Sequence, residues 1–185
     1  MEGVNTFYNV IRNDDMTAIS CEIAIVTFSN GAKVIEDFTT IDKKKPVSLS
    51  AYGGTDMASG VEKALDLLEE RKNDYKSNGV DYYQPWIVIM SDGAPNDLQS
   101  VKAVQERMKA LENEKKLVVF SIGIGDDADM NVLNDFSRRG AKHLKGYNFK
   151  EFFEWLGKST VVVSRSKVGD KVRLDVSTID DWAEI

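Results

Sequence analysis

Two short loops in this sequence place an oxygen-bearing side chain next to glycine at the end of a predicted regular element. Thr55 lies in the segment GGTD at 53–56, which opens a predicted helix. Asp92 lies in SDG at 91–93, directly after the apolar run WIVIM. Hydroxyl and carboxylate oxygens suit a hard divalent cation such as Mg²⁺, Mn²⁺ or Ca²⁺ better than they suit zinc. Thr55 and Asp92 are therefore the candidate metal ligands.

The same two residues also have a plainer interpretation. Threonine and aspartate at loop ends often cap helices or stabilise turns without binding any ligand. A hard cation takes about six oxygen ligands, so an ion held by Thr55 and Asp92 alone would be mostly water-coordinated and weakly bound. Spacing along the chain leaves both interpretations open.

The elements that position these loops alternate between apolar strands and amphipathic helices. Strands are predicted at 18–28, 33–38, 86–90, 117–122 and 142–144, and helices at 4–11, after 53–56, and after caps at Asn96 or Asp97, Asp129 and Asn148. Asn30-Gly31 predicts a hairpin turn between the first two strands. This alternation predicts an α/β fold with a doubly wound, mostly parallel sheet, helices on both faces and one antiparallel edge strand. Ligands of such sheets bind at the carboxyl ends of the strands.

Composition narrows the class of protein. The 185 residues suit one domain, and the net charge of −6 argues against a nucleic-acid-binding surface. The sequence contains no run of about 18 apolar residues, so no membrane-spanning helix is predicted, and no signal peptide is visible. Cys21 is the only cysteine, so an internal disulfide is excluded, and a reducing, cytoplasmic location is expected.

The order of four motifs in this sequence resembles the order in a known protein family. The segments TAISCEIAIVTFSNGAKV, GGTDMASGVEKAL, WIVIMSDGAPND and VVFSIGIGDDADMNVL follow one another as in a von Willebrand factor type A domain, and they look most similar to the bacterial tellurium-resistance-associated subfamily. The resemblance runs from residue 4 to about residue 175. It implies a Rossmann-like domain at 1–164. The tail at 165–185 alternates around Val172, Leu174 and Val176, which predicts a half-exposed strand before the acidic end DDWAEI. The resemblance also implies a non-enzymatic module for protein interaction, in a bacterial stress or tellurium-resistance system.

The resemblance further implies a metal-ion-dependent adhesion site built from three loops. Thr55 and Asp92 match the threonine and the aspartate of the second and third loops, and a partner's carboxylate often completes the metal shell in the family. The first loop, Asp-x-Ser-x-Ser after the first strand, has no counterpart before the first predicted helix. The resemblance therefore implies a partial site, in which Mg²⁺, Mn²⁺ or Ca²⁺ binds weakly or not at all.

In the family, the first strand lies in the middle of the sheet, so its absence leaves two neighbouring strands with unpaired backbone groups. We expect one of three arrangements. The two neighbours pair directly, the 170–178 segment inserts between them, or another chain donates a strand. A homo-oligomer is one form of the third arrangement.

Two classes of enzyme fit this sequence poorly. The segment at 123–128 matches the dinucleotide fingerprint G-x-G-x-x-A, yet Asp126 and Asp127 would repel a pyrophosphate. His143 is the only histidine, and no G-x-S-x-G nucleophile motif is present. The expected function is thus non-enzymatic protein binding. A degenerate domain with a structural or oligomeric role and no metal is the alternative, and a nucleotide-binding enzyme is the remote one.

Overall fold

A computed structural model describes residues 2–49, 53–146, 148–175, 177, 179 and 183–184 of the chain. The helices are α1 (Glu2–Arg12), α2 (Asp15–Ser20), α3 (Met57–Ser77), α4 (Leu98–Asn113), α5 (Met130–Asn134) and α6 (Phe149–Ser164). The strands are β1 (Glu22–Phe28), β2 (Ala32–Thr40), β3 (Trp86–Ser91), β4 (Val118–Gly123), β5 (Ala141–Leu144) and β6 (Ala183–Glu184). Within these ranges, no helix is both long and apolar enough to cross a lipid bilayer.

The strands form two separate sheets. One is the antiparallel hairpin of β1 and β2, and the other has the order β3-β4-β5-β6. In the larger sheet, β3, β4 and β5 are parallel, and β6 pairs with β5 in the antiparallel direction. The predicted α/β class with a parallel sheet and helices is confirmed. The predicted hairpin at Asn30-Gly31 is also present, between β1 and β2.

Helices cover both faces of the sheets, because apolar side chains from successive strand residues point to opposite sides. On one face, α3, α4 and α5 enclose a core that includes Met57, Leu65, Ile89, Val104, Met108, Val119 and Leu133. On the other face, α1 and α6 enclose a core that includes Phe7, Tyr8, Ile11, Ile122, Leu144, Phe152 and Leu156. The chain thus has three layers, with the sheets in the middle.

Helices α1 and α6 lie side by side, although they come from opposite ends of the sequence. A methyl group added to Gly157 would come within 2.8 Å of Val10, so the two backbones approach closely at that point. Beyond α1, the Thr17 hydroxyl lies 2.5 Å from the Ser164 hydroxyl, and Arg165 forms an ion pair with Asp14. These polar contacts link the end of α6 to the start of α2.

The prediction of a strand at 18–28 is wrong over its first residues, which belong to helix α2. Asp14 caps this helix, because its Oδ1 accepts hydrogen bonds from the Thr17 amide at 2.9 Å and from the Thr17 hydroxyl at 2.6 Å. The cap satisfies a first-turn amide that would otherwise lack a partner. The strand therefore begins only at Glu22, after the six residues of α2.

The prediction of a tail strand around 172–176 is also wrong for the residues that are described there. Residues 171–175 have no regular structure, and the Trp155 indole N–H donates a hydrogen bond of 2.6 Å to the Asp175 carbonyl. The tail instead contributes Ala183–Glu184 to the edge of β5. Val176 lies outside the described residues.

Two of the three expected arrangements around the predicted missing strand do not occur in the described chain. Strands β1 and β3 belong to different sheets, so they do not pair directly with each other. The described part of the 170–178 segment is not a strand, so it does not insert between them.

Candidate functional site

Thr55 lies in a tight turn that docks against the end of β1. The Asp56 amide donates a hydrogen bond of 2.8 Å to the Ser29 carbonyl, just after β1 ends. Gly53 allows the turn through its positive φ of 81°. Asp56 caps α3, since its Oδ1 accepts from the Ser59 amide at 3.2 Å. The helix-capping interpretation of Thr55 is therefore wrong, because the neighbouring aspartate fills that role.

Asn96 connects the Thr55 turn to the loop that follows β3. The Thr55 amide donates to Asn96 Oδ1 at 3.0 Å, and the Asn96 amide donates to the Thr55 carbonyl at 3.0 Å. Because Asp92 belongs to the same loop as Asn96, the two candidate ligand loops meet at one rim of the molecule. This rim is the carboxyl end of both β1 and β3.

Asp92 combines a turn-forming role with exposure to solvent. Its Oδ1 accepts from the Ala94 amide at 3.2 Å and from the Ser91 hydroxyl at 3.3 Å, while its side chain is exposed. The Asp92 carbonyl accepts from the Asp129 amide at 2.6 Å, which fixes the loop against the start of α5. Gly93 is required beside it, because a methyl group there would lie 2.6 Å from the Asp129 carbonyl oxygen, at a φ of 72°.

Two asparagines support the site in a way that the sequence did not predict. Asn30 Oδ1 accepts from the Gly54 amide at 2.8 Å, so the hairpin turn holds the Thr55 turn. Asn96, one of the two residues predicted to cap α4, holds the same turn from the other side, and Asp97 is the cap of α4. A methyl group on Gly54 would lie 2.6 Å from Asn96 Nδ2. The only sequence signal is that each asparagine closely follows a strand.

A groove of about 590 Å³ runs along this rim, between the first turns of α3 and α4. Thr55 is one of its lining residues, and Asp92 is not. Within the part of the chain that the structure describes, the Thr55 hydroxyl makes no hydrogen bond, so its oxygen is available to a ligand. The polar lining residues include Asn30, Asp56, Ser59, Glu62, Asn96 and Asp97.

The oxygen atoms at the rim are of the type that a hard cation prefers, but they are fewer than such a cation needs. A free hydroxyl and an exposed carboxylate are suitable oxygen ligands. Among the described residues, however, no group of three or more histidine, cysteine, aspartate or glutamate side chains is arranged to hold a metal ion. Thr55 and Asp92 would thus supply two of about six ligand positions, and water or a partner would have to supply the others.

The segment that resembles a dinucleotide fingerprint forms a closed turn. Gly125 has a positive φ of 82°, and its carbonyl accepts from the Ala128 amide at 3.2 Å and contacts His143 Nε2 at 2.8 Å. Asp126 and Asp127 are exposed at the tip of this turn. The segment thus connects β4 to α5 through a tight turn, and His143 makes a structural contact with that turn.

One solved structure supports the fold. The chain is similar to proximal thread matrix protein 1 from the mussel byssus, with 21% identity and a TM-score of 0.58. The match covers 83% of this chain but only 39% of that protein, so the chain spans well under half the length of this relative. An aerotolerance-related membrane protein from Bacteroides fragilis NCTC 9343, with multiple mutations to serines, aligns at 10% identity and a TM-score of 0.47, over 85% of this chain and 88% of that one.

Comparison with protein families gives a match over most of the sequence. The profile of the von Willebrand factor type A domain matches residues 4–155, from α1 into α6. This range includes both rim loops and both core layers described above. The chain belongs to the von Willebrand factor type A domain family, whose members are generally non-enzymatic modules for adhesion and protein interaction.

Proposed function

We propose that this domain binds an acidic segment of a partner protein at the rim, through a hydrated divalent cation held by Thr55 and Asp92. The observation that supports the proposal is the pair of hydrogen bonds between Thr55 and Asn96. This pair brings the hydroxyl loop and the carboxylate loop to one edge. Mg²⁺ or Mn²⁺ would act there by attracting and orienting the partner's carboxylate.

The negative charge of the rim leads to a specific prediction about when an acidic partner can bind. Asp92, Asp97 and Asp126 are all exposed near this edge, and none of them forms an ion pair within the described part of the chain. An acidic partner segment would be repelled by these carboxylates in the absence of a cation. Binding of such a segment should therefore require the metal, and a chelator should abolish it.

The family resemblance extends the proposal to a cellular role. The motif order is similar to that of bacterial tellurium-resistance-associated proteins, so we assign the domain to a cytoplasmic stress-response assembly as part of the same proposal. The competing function is a structural or oligomeric role that needs no metal. Metal-binding measurements separate the two.

The first experiment measures Mn²⁺ binding by electron paramagnetic resonance and by line broadening of backbone amides. Thr55→Val removes the hydroxyl but keeps the backbone bonds to Asn96, and Asp92→Asn removes the charge but keeps an oxygen for the Ala94 amide. Each variant should bind Mn²⁺ about tenfold more weakly or worse, since even changes outside the ligand shell commonly cost that much. Asp81→Ala is the control, because Asp81 is exposed and precedes β3 at the opposite rim.

The second experiment tests the partner chemistry with short glycine-serine peptides that contain either one glutamate or one glutamine. The glutamate peptide should bind in Mn²⁺ and lose binding in EDTA, while the glutamine peptide should bind in neither condition. If Mn²⁺ does not broaden the amides of the 53–57 and 91–96 loops, or if peptide binding ignores EDTA, the metal-dependent function is wrong.

A further inference from the structure

The sequence contains two Asn-Gly pairs, Asn30-Gly31 in the β1–β2 turn and Asn78-Gly79 directly after α3. In such a pair, the backbone nitrogen of the glycine can attack the side-chain carbonyl carbon of the asparagine and close a small cyclic imide. Glycine favours this reaction because it has no side chain beside the attacking nitrogen. Both pairs are preceded by a serine, and both asparagines are exposed. The two pairs therefore differ mainly in their contacts within the fold.

The attacking nitrogen is free in the first pair and engaged in the second. Within the ranges that the structure describes, the Gly31 amide makes no hydrogen bond. The Gly79 amide instead donates to the Lys76 carbonyl at 3.2 Å, at the end of α3. Because that bond must break before the nitrogen can attack, cyclisation should be slower at Asn78 than at Asn30.

The carbonyl under attack is also activated in the first pair alone. The Gly54 amide donates a hydrogen bond of 2.8 Å to Asn30 Oδ1. Attack at Cγ places negative charge on this oxygen, and a fixed N–H donor aimed at it stabilises that charge, as in an oxyanion hole. Asn78 Oδ1 accepts no hydrogen bond in the described chain, and Asn78 Nδ2 is held by the Asp74 carbonyl at 2.8 Å.

We propose that Asn30 converts to an acidic residue in the folded protein, without any enzyme, and that this modification adds a carboxylate to the metal rim. The Gly31 nitrogen forms a bond to Asn30 Cγ, its proton passes to Nδ2, and the Cγ–Nδ2 bond breaks to release ammonia. Water then opens the cyclic imide. Cleavage of the new N–Cγ bond gives aspartate, and cleavage of the original backbone C–N bond gives isoaspartate. No atom is oxidised or reduced, and water is the only co-reactant.

The aspartate product offers a further ligand beside Thr55. Asn30 and Thr55 line the same groove, and Asn30 holds the residue that precedes Thr55. Because Thr55 and Asp92 supply only two of about six ligand positions, a carboxylate at residue 30 should strengthen cation binding. Since ammonia is lost, the change accumulates with the age of the protein. This consequence rests on the metal-dependent function proposed above, whereas the conversion itself does not.

The first test follows both pairs in one sample of the folded protein. After incubation at neutral pH and digestion in acid, liquid chromatography with mass spectrometry separates the asparagine, aspartate and isoaspartate forms of each peptide. Conversion should be about tenfold faster or more at Asn30 than at Asn78, since a single hydrogen bond changes a rate by up to about that factor. In denaturant the two rates should become similar. Conversion in the folded protein that is equal at the two sites, or slower at Asn30, overturns the proposal.

The second test measures Mn²⁺ binding to a variant that mimics the product. Asn30→Asp keeps an oxygen for the Gly54 amide and should bind Mn²⁺ about tenfold more tightly, or better, than the unmodified protein. Asn78→Asp is the matched control, because it adds the same charge at the far end of α3. Its affinity for Mn²⁺ should stay unchanged.

The two tests separate this proposal from the metal-dependent function. If Asn30→Asp leaves Mn²⁺ binding unchanged while Thr55→Val weakens it, the predicted effect of the modification on the rim is wrong. If neither substitution changes Mn²⁺ binding, the metal-dependent function is wrong. In that case, faster conversion at Asn30 than at Asn78 still supports Asn30 as the modification site.

Discussion

Thr55 and Asn96 exchange two hydrogen bonds of 3.0 Å, one to the Asn96 side chain and one to the Thr55 carbonyl. This pair fixes the turn before α3 against the loop after β3. Within the rim, Asn96 therefore positions Thr55 without being a candidate ligand itself.

Substituting Asn96 should loosen the rim without unfolding the domain. Asn96→Ala removes the acceptor for the Thr55 amide, which should cost about 1 kcal/mol in the free energy of unfolding. Asn96→Asp keeps that acceptor and should restore most of the stability. Chemical denaturation measures both, and hydrogen exchange at the Thr55 amide should accelerate only in Asn96→Ala. Equal exchange in the two variants would contradict a positioning role for the side chain.

Gly60 should not tolerate even one added methyl group. A methyl carbon there would lie 2.6 Å from Phe28 Cδ1 and 2.8 Å from Phe28 Cβ, where α3 packs on β1. Gly60→Ala should lower the free energy of unfolding by about 1–3 kcal/mol through overpacking. The double variant Gly60→Ala with Phe28→Leu should recover part of this loss. If the losses of unfolding free energy from the two single substitutions simply add in the double variant, the contact between residue 60 and Phe28 is not the cause of the destabilisation.

Asp14 should make stability depend on acid pH. Hydrogen bonds from Thr17, assisted by the bond from Arg165, lower the pKa of Asp14 to about 2. Because the folded pKa lies below the unfolded value of about 3.9, this stabilisation is complete above about pH 4 and is lost as the pH falls toward 2. Unfolding of the protein and of Asp14→Asn should be compared across this range.

The variant isolates Asp14 from the other carboxyl groups that titrate in the same range. The asparagine side chain introduced by Asp14→Asn can still accept the bond from the Thr17 amide, so the cap survives while the charge beside Arg165 is lost. The stability difference between the two proteins should shrink as the pH falls from about 4 to about 2. A difference that stays constant would rule out Asp14 as the titrating group.

Cys21 should resist thiol reagents in the folded protein. Burial, with a smaller contribution from the Glu22 charge, raises the pKa of the thiol to about 12. Near pH 8, the thiolate population should fall by roughly a hundredfold or more relative to the unfolded chain. Labelling by a thiol reagent should therefore be slow in buffer and fast in denaturant. Fast labelling of the folded protein would contradict the shielding of the Cys21 thiol from water.

Much of the fold could be predicted because strong apolar runs and turn residues agree with each other. WIVIM forms β3, and the Asn30-Gly31 pair forms the β1–β2 turn. Helix α2 could not be predicted, because its residues continue an apolar, β-branched run and only the Asp14 cap decides in favour of helix. Over these six residues, the cap from one side chain outweighs the apolar pattern, and the strand forms only from Glu22 onward.

The common rim of Thr55 and Asp92 follows from the rule that parallel strands end at one edge. The roles of Asn30 and Asn96 could not be predicted, because each contacts a turn that is distant in sequence, at separations of 24 and 41 residues. The spacing of residues along the sequence does not indicate which distant turns these side chains contact.

The side-by-side packing of α1 and α6 has a consequence for the order of folding. The core on that face includes Phe7 and Ile11 from α1 and Phe152 and Leu156 from α6. Contacts so distant along the chain form slowly. During synthesis, the apolar side of α1 therefore stays uncovered until α6 has also left the ribosome. A chaperone that covers this side of α1 would protect the nascent domain during that interval.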